Sequence, residues 1–466
     1  MPLGRITKRT FLRAAAGAAA TAVWPAASRA ESRPPNIVLI LADDLGYGDL
    51  GCYGSALRTP NIDGLASNGV RFSQFYSANP VCSPSRAALL TGRYPPRTGV
   101  VGVLFPSDTT GLAESETTVA QTLKAVGYQS MCVGKWHVGS RPQYLPTNRG
   151  FDEFYGLIAS GDAWPLQLMH NLDVIEDPAN LSTITARFTE QAVNFIGRAK
   201  DGPFFLYLAQ TEPHLPLETA SRFRRRSPLG PYGDSVEEMD WSVGEVLRAI
   251  RDNGIEDNTL VLFTSDNGPW YQGSAGVLRG RKGETFEGGV REPFVARFPG
   301  RIPAGLTVNG VATTMDLLPT FAGLANAPLP PAPVDGTDIW PLLTASTDSL
   351  DRDALLYFDA WNLQCARLGK WKLHVARYNS VAWTPIPPGG RFNLPLPRPE
   401  LYDLDADPAE SYDVAADNPQ VVADIRARME SLLPTFPPQV MSSWQYTASL
   451  AVEDTPSGAL PIRRTP

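Results

Sequence analysis

Four short apolar runs in the chain each lead straight into side chains that can do chemistry. Residues 37–42 open onto Asp43 and Asp44, residues 129–133 onto Lys135 and His137, residues 204–209 onto His214, and residues 260–264 onto Asp266 and Asn267. Carboxylates and a carboxamide are hard oxygen donors, a set that suits Ca2+ or Mg2+ far better than zinc. With only four histidines in the chain (His137, His170, His214 and His374), a histidine-rich dizinc centre is not expected. Taken singly, an Asp-Asp or Asp-Asn-Gly step after a strand reads as readily as a turn or a helix cap. Taken together, the four oxygen donors point to a bound cation.

A nucleophile is offered by Pro80-Val81-Cys82-Ser83-Pro84-Ser85-Arg86-Ala87-Ala88-Leu89-Leu90-Thr91-Gly92. Ser83 suits a helix N-cap and Pro84 the first helical position, which places Cys82 just before a helix amino end. Free backbone N–H groups and the helix dipole make such an end an anion site. Arg86, one turn in, adds a fixed positive charge. On these residues alone Cys82 reads equally as a reactive thiol or as a packed side chain.

The elements that must position these groups follow from the same runs. Each is short, largely β-branched or aromatic and apolar on both faces, as in strands buried in a parallel sheet. Helical patterns at 118–125, 185–198 and 236–252 lie between them, so the architecture reads as α/β. Ligands of such sheets bind beyond the carboxyl ends of the strands. The four polar ends are therefore expected to converge on one site.

After the Pro-rich residues 328–333 the pattern changes to short strand-like runs at 355–358, 365–368 and 371–375, then a helix at 419–433. We read a catalytic domain over 31–345, a C-terminal α+β subdomain over 346–446 and a loose tail over 447–466.

Residues 1–30 hold five basic residues (Arg5, Lys8, Arg9, Arg13, Arg29), no acid, and an Ala-rich apolar run at 14–23. That is the pattern of a cleaved export signal, and the run is too short to span a bilayer. Lys8-Arg9-Thr10-Phe11-Leu12 gives it a twin-arginine-like cast, with an ordinary secretory signal as the alternative. Cleavage removes five of the 41 basic residues and none of the 48 acidic ones, taking the formal charge from −7 to −12. A chain so acidic is not expected to bind nucleic acid. With no later run long enough to cross a membrane, a periplasmic or secreted protein is expected. Four cysteines (Cys52, Cys82, Cys132, Cys365) in 466 residues do not make a disulfide framework.

The segment around Cys82 resembles the signature of the formylglycine-dependent sulfatases, in which the cysteine is oxidised to an aldehyde that hydrates to a geminal diol. Gly127-Tyr128-Gln129-Ser130-Met131-Cys132-Val133-Gly134-Lys135-Trp136-His137 resembles that family's second signature, and Lys282-Gly283-Glu284-Thr285-Phe286-Glu287-Gly288-Gly289-Val290-Arg291-Glu292-Pro293 also follows its pattern. The resemblance runs from about residue 35 to residue 433. It is nearest to the arylsulfatase A and N-acetylgalactosamine-6-sulfatase branch.

The resemblance implies an alkaline-phosphatase-like fold: a mixed, mostly parallel sheet flanked by helices, with a smaller C-terminal α+β domain. It implies one Ca2+ (or Mg2+) held by Asp43, Asp44, Asp266, Asn267 and the converted Cys82, and a formylglycine-generating enzyme acting on Cys82 during maturation. Arg86, Lys135 and Lys282 are implied to meet the sulfate charge, and Asp266 to accept a proton from the attacking hydroxyl. His214 and Lys282 match the residues at the leaving oxygen, and His137 matches the base that deprotonates the second hydroxyl. Ser160 aligns with a sulfate-contacting serine, and His374 with a segment approaching the substrate pocket.

The implied substrate is a sulfate monoester, either an aryl sulfate or a sulfated saccharide. Trp164, Trp270, Tyr271 and Trp361 fall in expected loops and could stack on its aryl group or sugar. Two other readings stay open: a phosphonate or phosphate ester hydrolase of the same superfamily, and a non-catalytic binder of sulfated glycans.

Overall fold

The computed structural model describes residues 33–163, 165–380 and 392–450. The expected export signal, Trp164 and most of the expected tail lie outside the described residues.

The runs that are apolar on both faces form the middle of a large sheet. In chain order its strands are β1 (Asn36–Ala42), β2 (Val70–Tyr76), β3 (Gln129–Lys135), β4 (Glu153–Leu157), β5 (Leu168–His170), β6 (Asp173–Glu176), β7 (Phe204–Ala209), β8 (Thr259–Ser265), β9 (Arg291–Arg297), β10 (Leu306–Val308) and β11 (Ala312–Thr313). They lie in the order β10-β2-β9-β8-β1-β7-β3-β4-β5-β6, with β11 paired to β2. The central β8, β1, β7, β3 and β4 are parallel, and antiparallel β9 and β5 flank them.

Every residue of β1, β7 and β8 is buried, as helices covering both faces require. Strand alternation sorts the contacts. Ile37, Leu39 and Leu41 share a core with α2 (Cys82–Thr91) and the helix Leu317–Ala325. Val38, Ile40 and Ala42 share one with α1 (Pro60–Ser67) and the helices Ile184–Ala199 and Gly230–Asp252.

The later strands β12 (Leu355–Asp359), β13 (Asn362–Leu368), β14 (Trp371–Tyr378) and β15 (Asn393–Asp403) form an antiparallel sheet in chain order. Ile425 and Met429 of the helix Pro419–Leu432 pack on it, as do Ala88, Tyr94 and Met315 from the larger part. The two sheets thus share a core, and the chain from Pro34 on clusters as one unit. This is the expected mixed, mostly parallel α/β architecture with a small C-terminal α+β part. No described helix is long and apolar enough to cross a membrane.

Candidate active site

Strand ends do bring the expected residues together. Asp43 and Asp44 follow β1, Asp266 and Asn267 follow the adjacent β8, Lys135 ends β3, and His214 lies beyond β7. Gly134 makes the β3 end possible. It has φ of 103°, and a Cβ there would lie 1.8 Å from Ala209 O, so only glycine fits. Asp44 and His137 hold left-handed backbone, φ 64° and 62°, an uncommon conformation for non-glycine residues that gathers at functional sites.

Helix α2 begins at Cys82 itself, with Val81 as its N-cap. Ser83 is therefore not the cap. Its Oγ instead accepts from Leu104 N at 3.0 Å, tying the 103–105 loop to the helix start. Cys82 Sγ lies 3.7 Å from Asp43 Oδ1 and 3.9 Å from Asp44 Oδ1. Burial pushes the Cys82 thiol up to about 12, against the pull of Lys135 and Lys282. As encoded, the side chain is a protonated thiol and a poor nucleophile.

The cations do not all face the cavity. Arg86 Nε donates to Asp266 Oδ2 at 2.9 Å and Nη1 to Lys135 O at 2.8 Å, while Lys135 Nζ bonds both Asp43 oxygens at 2.8 and 2.6 Å. Both side chains are fully buried. Neither lines the cavity, so their charge acts on a bound anion from beneath, without direct contact. Lys282 alone among the three lines the cavity, its Nζ 2.7 Å from Asp44 Oδ2. Burial is unfavourable for this ammonium, but Asp44 and its neighbours outweigh that and raise its pKa.

Asp43 is also buried, yet Lys135, His214, Arg86 and Lys282 hold its carboxyl well below the usual range. Burial moves Asp266 the other way, up to about 6, in spite of Arg86 beside it. Three carboxylates face three permanent cations, and His214 adds a fourth positive charge when it is protonated.

Asn267 Nδ2 donates to Asp44 Oδ1 at 2.8 Å, which fixes the amide, and its Oδ1 is buried with no hydrogen-bond partner. A buried acceptor left unsatisfied is costly, and a cation would satisfy it. Asp43, Asp44, Cys82 and His214 offer donor atoms all within 4.8 Å of one another. Asp266 is not among these four: its Oδ1 accepts from Asp44 N at 3.2 Å and its Oδ2 from Arg86 Nε at 2.9 Å. His214 and the unconverted Cys82 bring a nitrogen and a sulfur to the two carboxylates, and His214 Nε2 lies 3.6 Å from Asp44 Oδ2. The oxygen-rich remainder fits a hard divalent ion.

The histidines are oriented by carbonyls, which only accept. His214 Nδ1 donates to Leu215 O at 2.6 Å, so Nε2 faces the site. His137 Nε2 donates to Leu104 O at 2.8 Å, leaving Nδ1 buried and without a partner. Burial, reinforced by Lys135 and Arg86, drives His137 well below its ordinary range. It is a neutral imidazole with one free lone pair, the form a general base needs.

The cavity is lined by Asp44, Cys82, His137, His214 and Lys282 at its base, with Val103, Phe105, Leu215 and Trp270 on the walls. Ser160 and Asp162 complete the wall. Ser160 Oγ donates its one proton to Asp162 Oδ1 at 2.7 Å, so in this conformation it offers no donor to a sulfate oxygen.

His374 is not brought to the cavity. It is buried, with Nε2 2.7 Å from Glu410 Oε1 and its ring 4.9 Å from that of Phe286. Its place in the middle of β14, facing the larger part, turns it into the core. Trp361 is half-buried and packs against the core of the small sheet. A roomier cavity, about 280 Å³ against about 100 Å³, lies beside β2 and the small sheet. Its cations Arg352, Arg367 and Lys370 are engaged by Asp316, Gly369 O and Asp403, and among the described residues its lining holds aspartates and Ser349 but no cysteine or histidine.

Sequence reasoning missed Phe105, Asp162 and Leu215. Residues 103–105 reach the site from an irregular loop with no periodicity to mark them. Only the alignment of Ser160 with a sulfate-contacting serine pointed to the second wall.

The chain matches the family model described as Sulfatase over residues 35–327, and the one for the C-terminal region of aryl-sulfatase over residues 350–457. It is 42% identical to arylsulfatase A of Homo sapiens over 448 residues, which cover 86% of this chain and 88% of that protein. It is 40% identical to N-acetylgalactosamine-6-sulfatase of Canis lupus familiaris over 376 residues, covering 73% and 72%. Among solved structures, the PsFucS1 sulfatase from Pseudoalteromonas sp. superposes with a TM-score of 0.79 at 30% identity, over 88% of this chain and 91% of that one. Two family models in register with a cavity built from strand-end acids, a helix-start cysteine and flanking histidines show that the chain belongs to the sulfatase family, the sulfuric ester hydrolases.

Proposed function

We propose that the chain hydrolyses a sulfate monoester, an aryl sulfate or a sulfated saccharide, after export and after conversion of Cys82 to formylglycine by a formylglycine-generating enzyme. The observation that carries this reading is the joint placement of Cys82 at the start of α2, within 4 Å of Asp43 and Asp44, at the base of a cavity that His137, His214 and Lys282 share.

Asp43, Asp44, Asp266, Asn267 and position 82 would hold one Ca2+, with Mg2+ as the alternative. The ion supplies positive charge that stabilises the sulfuryl oxygens as charge builds on them. Since the three carboxylates of the site already face three permanent cations, that charge is available to the substrate anion. Hydrated formylglycine supplies a geminal diol, one hydroxyl to attack sulfur and a second through which the bound sulfate is released.

The chain's own residues do the rest. Arg86 and Lys135 keep Asp43 and Asp266 ionised and in place. Lys282 and His214, on the Asp44 side, meet the leaving oxygen, and His214 Nε2 faces the cavity to deliver a proton there. His137, neutral and with Nδ1 free, takes the proton of the second hydroxyl.

A comparison of kcat/KM for an aryl sulfate and the matching aryl phosphonate, on protein with converted Cys82, tests the reaction class. Preference for the sulfate is expected, and a strong preference for the phosphonate would overturn it. Lys282→Ala should distinguish the leaving-group role from simple charge. We expect a loss of about 100-fold or more in kcat for an unactivated alkyl or sugar sulfate but only about tenfold for 4-nitrophenyl sulfate, whose phenolate needs little help. Equal losses on both would remove Lys282 from the leaving oxygen.

A further inference from the structure

The walls of the cavity differ from its base in charge. Val103, Phe105, Leu215 and Trp270 are apolar, and the base already carries its compensating pairs, Asp44 with Lys282 at 2.7 Å and with His214 at 3.6 Å. Among the described residues, Asp162 is the one further charged side chain that lines the cavity. It is exposed, its Oδ1 accepts from Ser160 Oγ, and among the described residues no cation pairs with it.

Its position is fixed by packing. Ala163 N closes a turn onto Ser160 O at 3.0 Å. A Cβ on Gly161 would lie 3.0 Å from Pro216 Cδ and 3.1 Å from Leu215 O, so the turn seats directly against the loop that follows His214. Asp162 thus lines the same cavity as His214 and Leu215, on the side where a leaving alcohol would extend from His214 if the sulfate were held at the base. An apolar face of that alcohol can stack on Trp270 or Phe105. A second anionic group on it would meet an unneutralised carboxylate.

We propose that Asp162 is a specificity-determining residue that filters the leaving group by charge. Esters of a neutral or cationic alcohol enter, whereas those with a second anionic group close to the reacting oxygen are disfavoured. The substrate class is then a singly sulfated aryl or saccharide compound without a neighbouring uronate or second sulfate. The inference rests on the reading of this cavity as the sulfate-ester site.

Two isosteric esters test it, 3-carboxyphenyl sulfate and 3-carbamoylphenyl sulfate, each with the wild-type protein and with Asp162→Asn, all carrying converted Cys82. Asn keeps the acceptor for Ser160 and removes the charge. The readout is the ratio of kcat/KM between the two esters, from which any loss common to both substrates cancels. We expect the wild type to favour the carbamoyl ester by about tenfold, the scale of one partly screened like-charge contact, and D162N to bring the ratio to within about twofold. The wild-type ratio should also shrink as salt approaches 1 M, where the Debye length is about 3 Å, while that of D162N stays flat. An unchanged preference in D162N, or a salt-independent one in the wild type, overturns the filter. Failure of the sulfatase reading looks different, since neither ester would then be hydrolysed in either background, and the filter would fall with it.

Discussion

Cys82→Ala is expected to lower kcat on an aryl sulfate by at least about 10⁴-fold while leaving the fold intact, the scale of loss when a covalent nucleophile is removed. The side chain is buried at the start of α2, and alanine removes a single sulfur atom there. Thermal unfolding should therefore shift little. The variant cannot be converted to an aldehyde, and no neighbour substitutes for it. Asp43 and Asp44 are committed to Lys135 and Lys282, and His137 is held in its neutral form by burial.

The same reasoning applies to unconverted protein, because a thiol held near 12 is protonated at neutral pH. Specific activity should rise in proportion to the fraction of Cys82 found as aldehyde by peptide mass spectrometry. Activity within about tenfold of wild type in the alanine variant, or in protein whose Cys82 is wholly thiol, would show that position 82 is not the nucleophile.

A second large effect is expected in stability, from a charge cluster that joins the two sheets. Lys372 of β14 reaches Glu287 Oε1 at 2.9 Å and Glu410 Oε1 at 3.3 Å, all three side chains fully buried. Glu287 Oε2 accepts from Tyr76 at 2.7 Å, and Glu410 Oε2 accepts from Glu287 N at 2.5 Å. His374 belongs to this cluster through Glu410. Replacing Lys372 with methionine keeps the length of the side chain and leaves two carboxylates buried without their shared cation. Removing one partner of a buried ion pair costs on the order of 3–5 kcal/mol, and denaturant unfolding should show a loss of that size.

The pH dependence gives a separate check. Burial alone would raise the Glu287 carboxyl, but Lys372, Arg291 and Arg367 outweigh it and hold it at about 2 against an ordinary 4.5. A carboxyl depressed in the fold contributes its stability above the unfolded value, and the contribution is lost as pH falls through the folded value. Wild-type stability should therefore decline between about pH 4.5 and pH 2 for this reason. In Lys372→Met that part of the acid limb should flatten, since Glu287 would already be weakly held. Adding Glu287→Gln to Lys372→Met should recover part of the loss, as the double-mutant cycle requires of a coupled pair. A loss below about 1 kcal/mol in the single variant would show the cluster to be energetically indifferent.

The architecture was legible for a local reason. β1, β7 and β8 are apolar without alternation, which marks a strand covered on both faces, and the residues that follow them are chemically distinctive. The antiparallel flank was not, because β2 and β9 carry charged and polar residues such as Arg71 and Arg291, whose partners, Thr307 and Ser73 among them, come from segments distant in sequence. The helix Gly230–Asp252 begins six residues before the expected 236, since Pro231 at its first turn supports a start that the apolar spacing does not reveal.

By itself the sequence determined which residues stand at strand ends and at the helix start, and hence the chemistry available, since strand period, helix-start preference and residue type are local properties. The folded chain alone decided which of those groups face the cavity. Arg86 and Lys135 turn beneath it to partners 180 and 92 residues away. His374 turns inward to Glu410, Ser160 gives its proton to Asp162, and a loop tied down 21 residues beyond Ser83 supplies a wall. A buried charge must find an opposite charge wherever the fold provides one. That choice is made between distant segments in a low-dielectric interior, and no spacing along the chain records it.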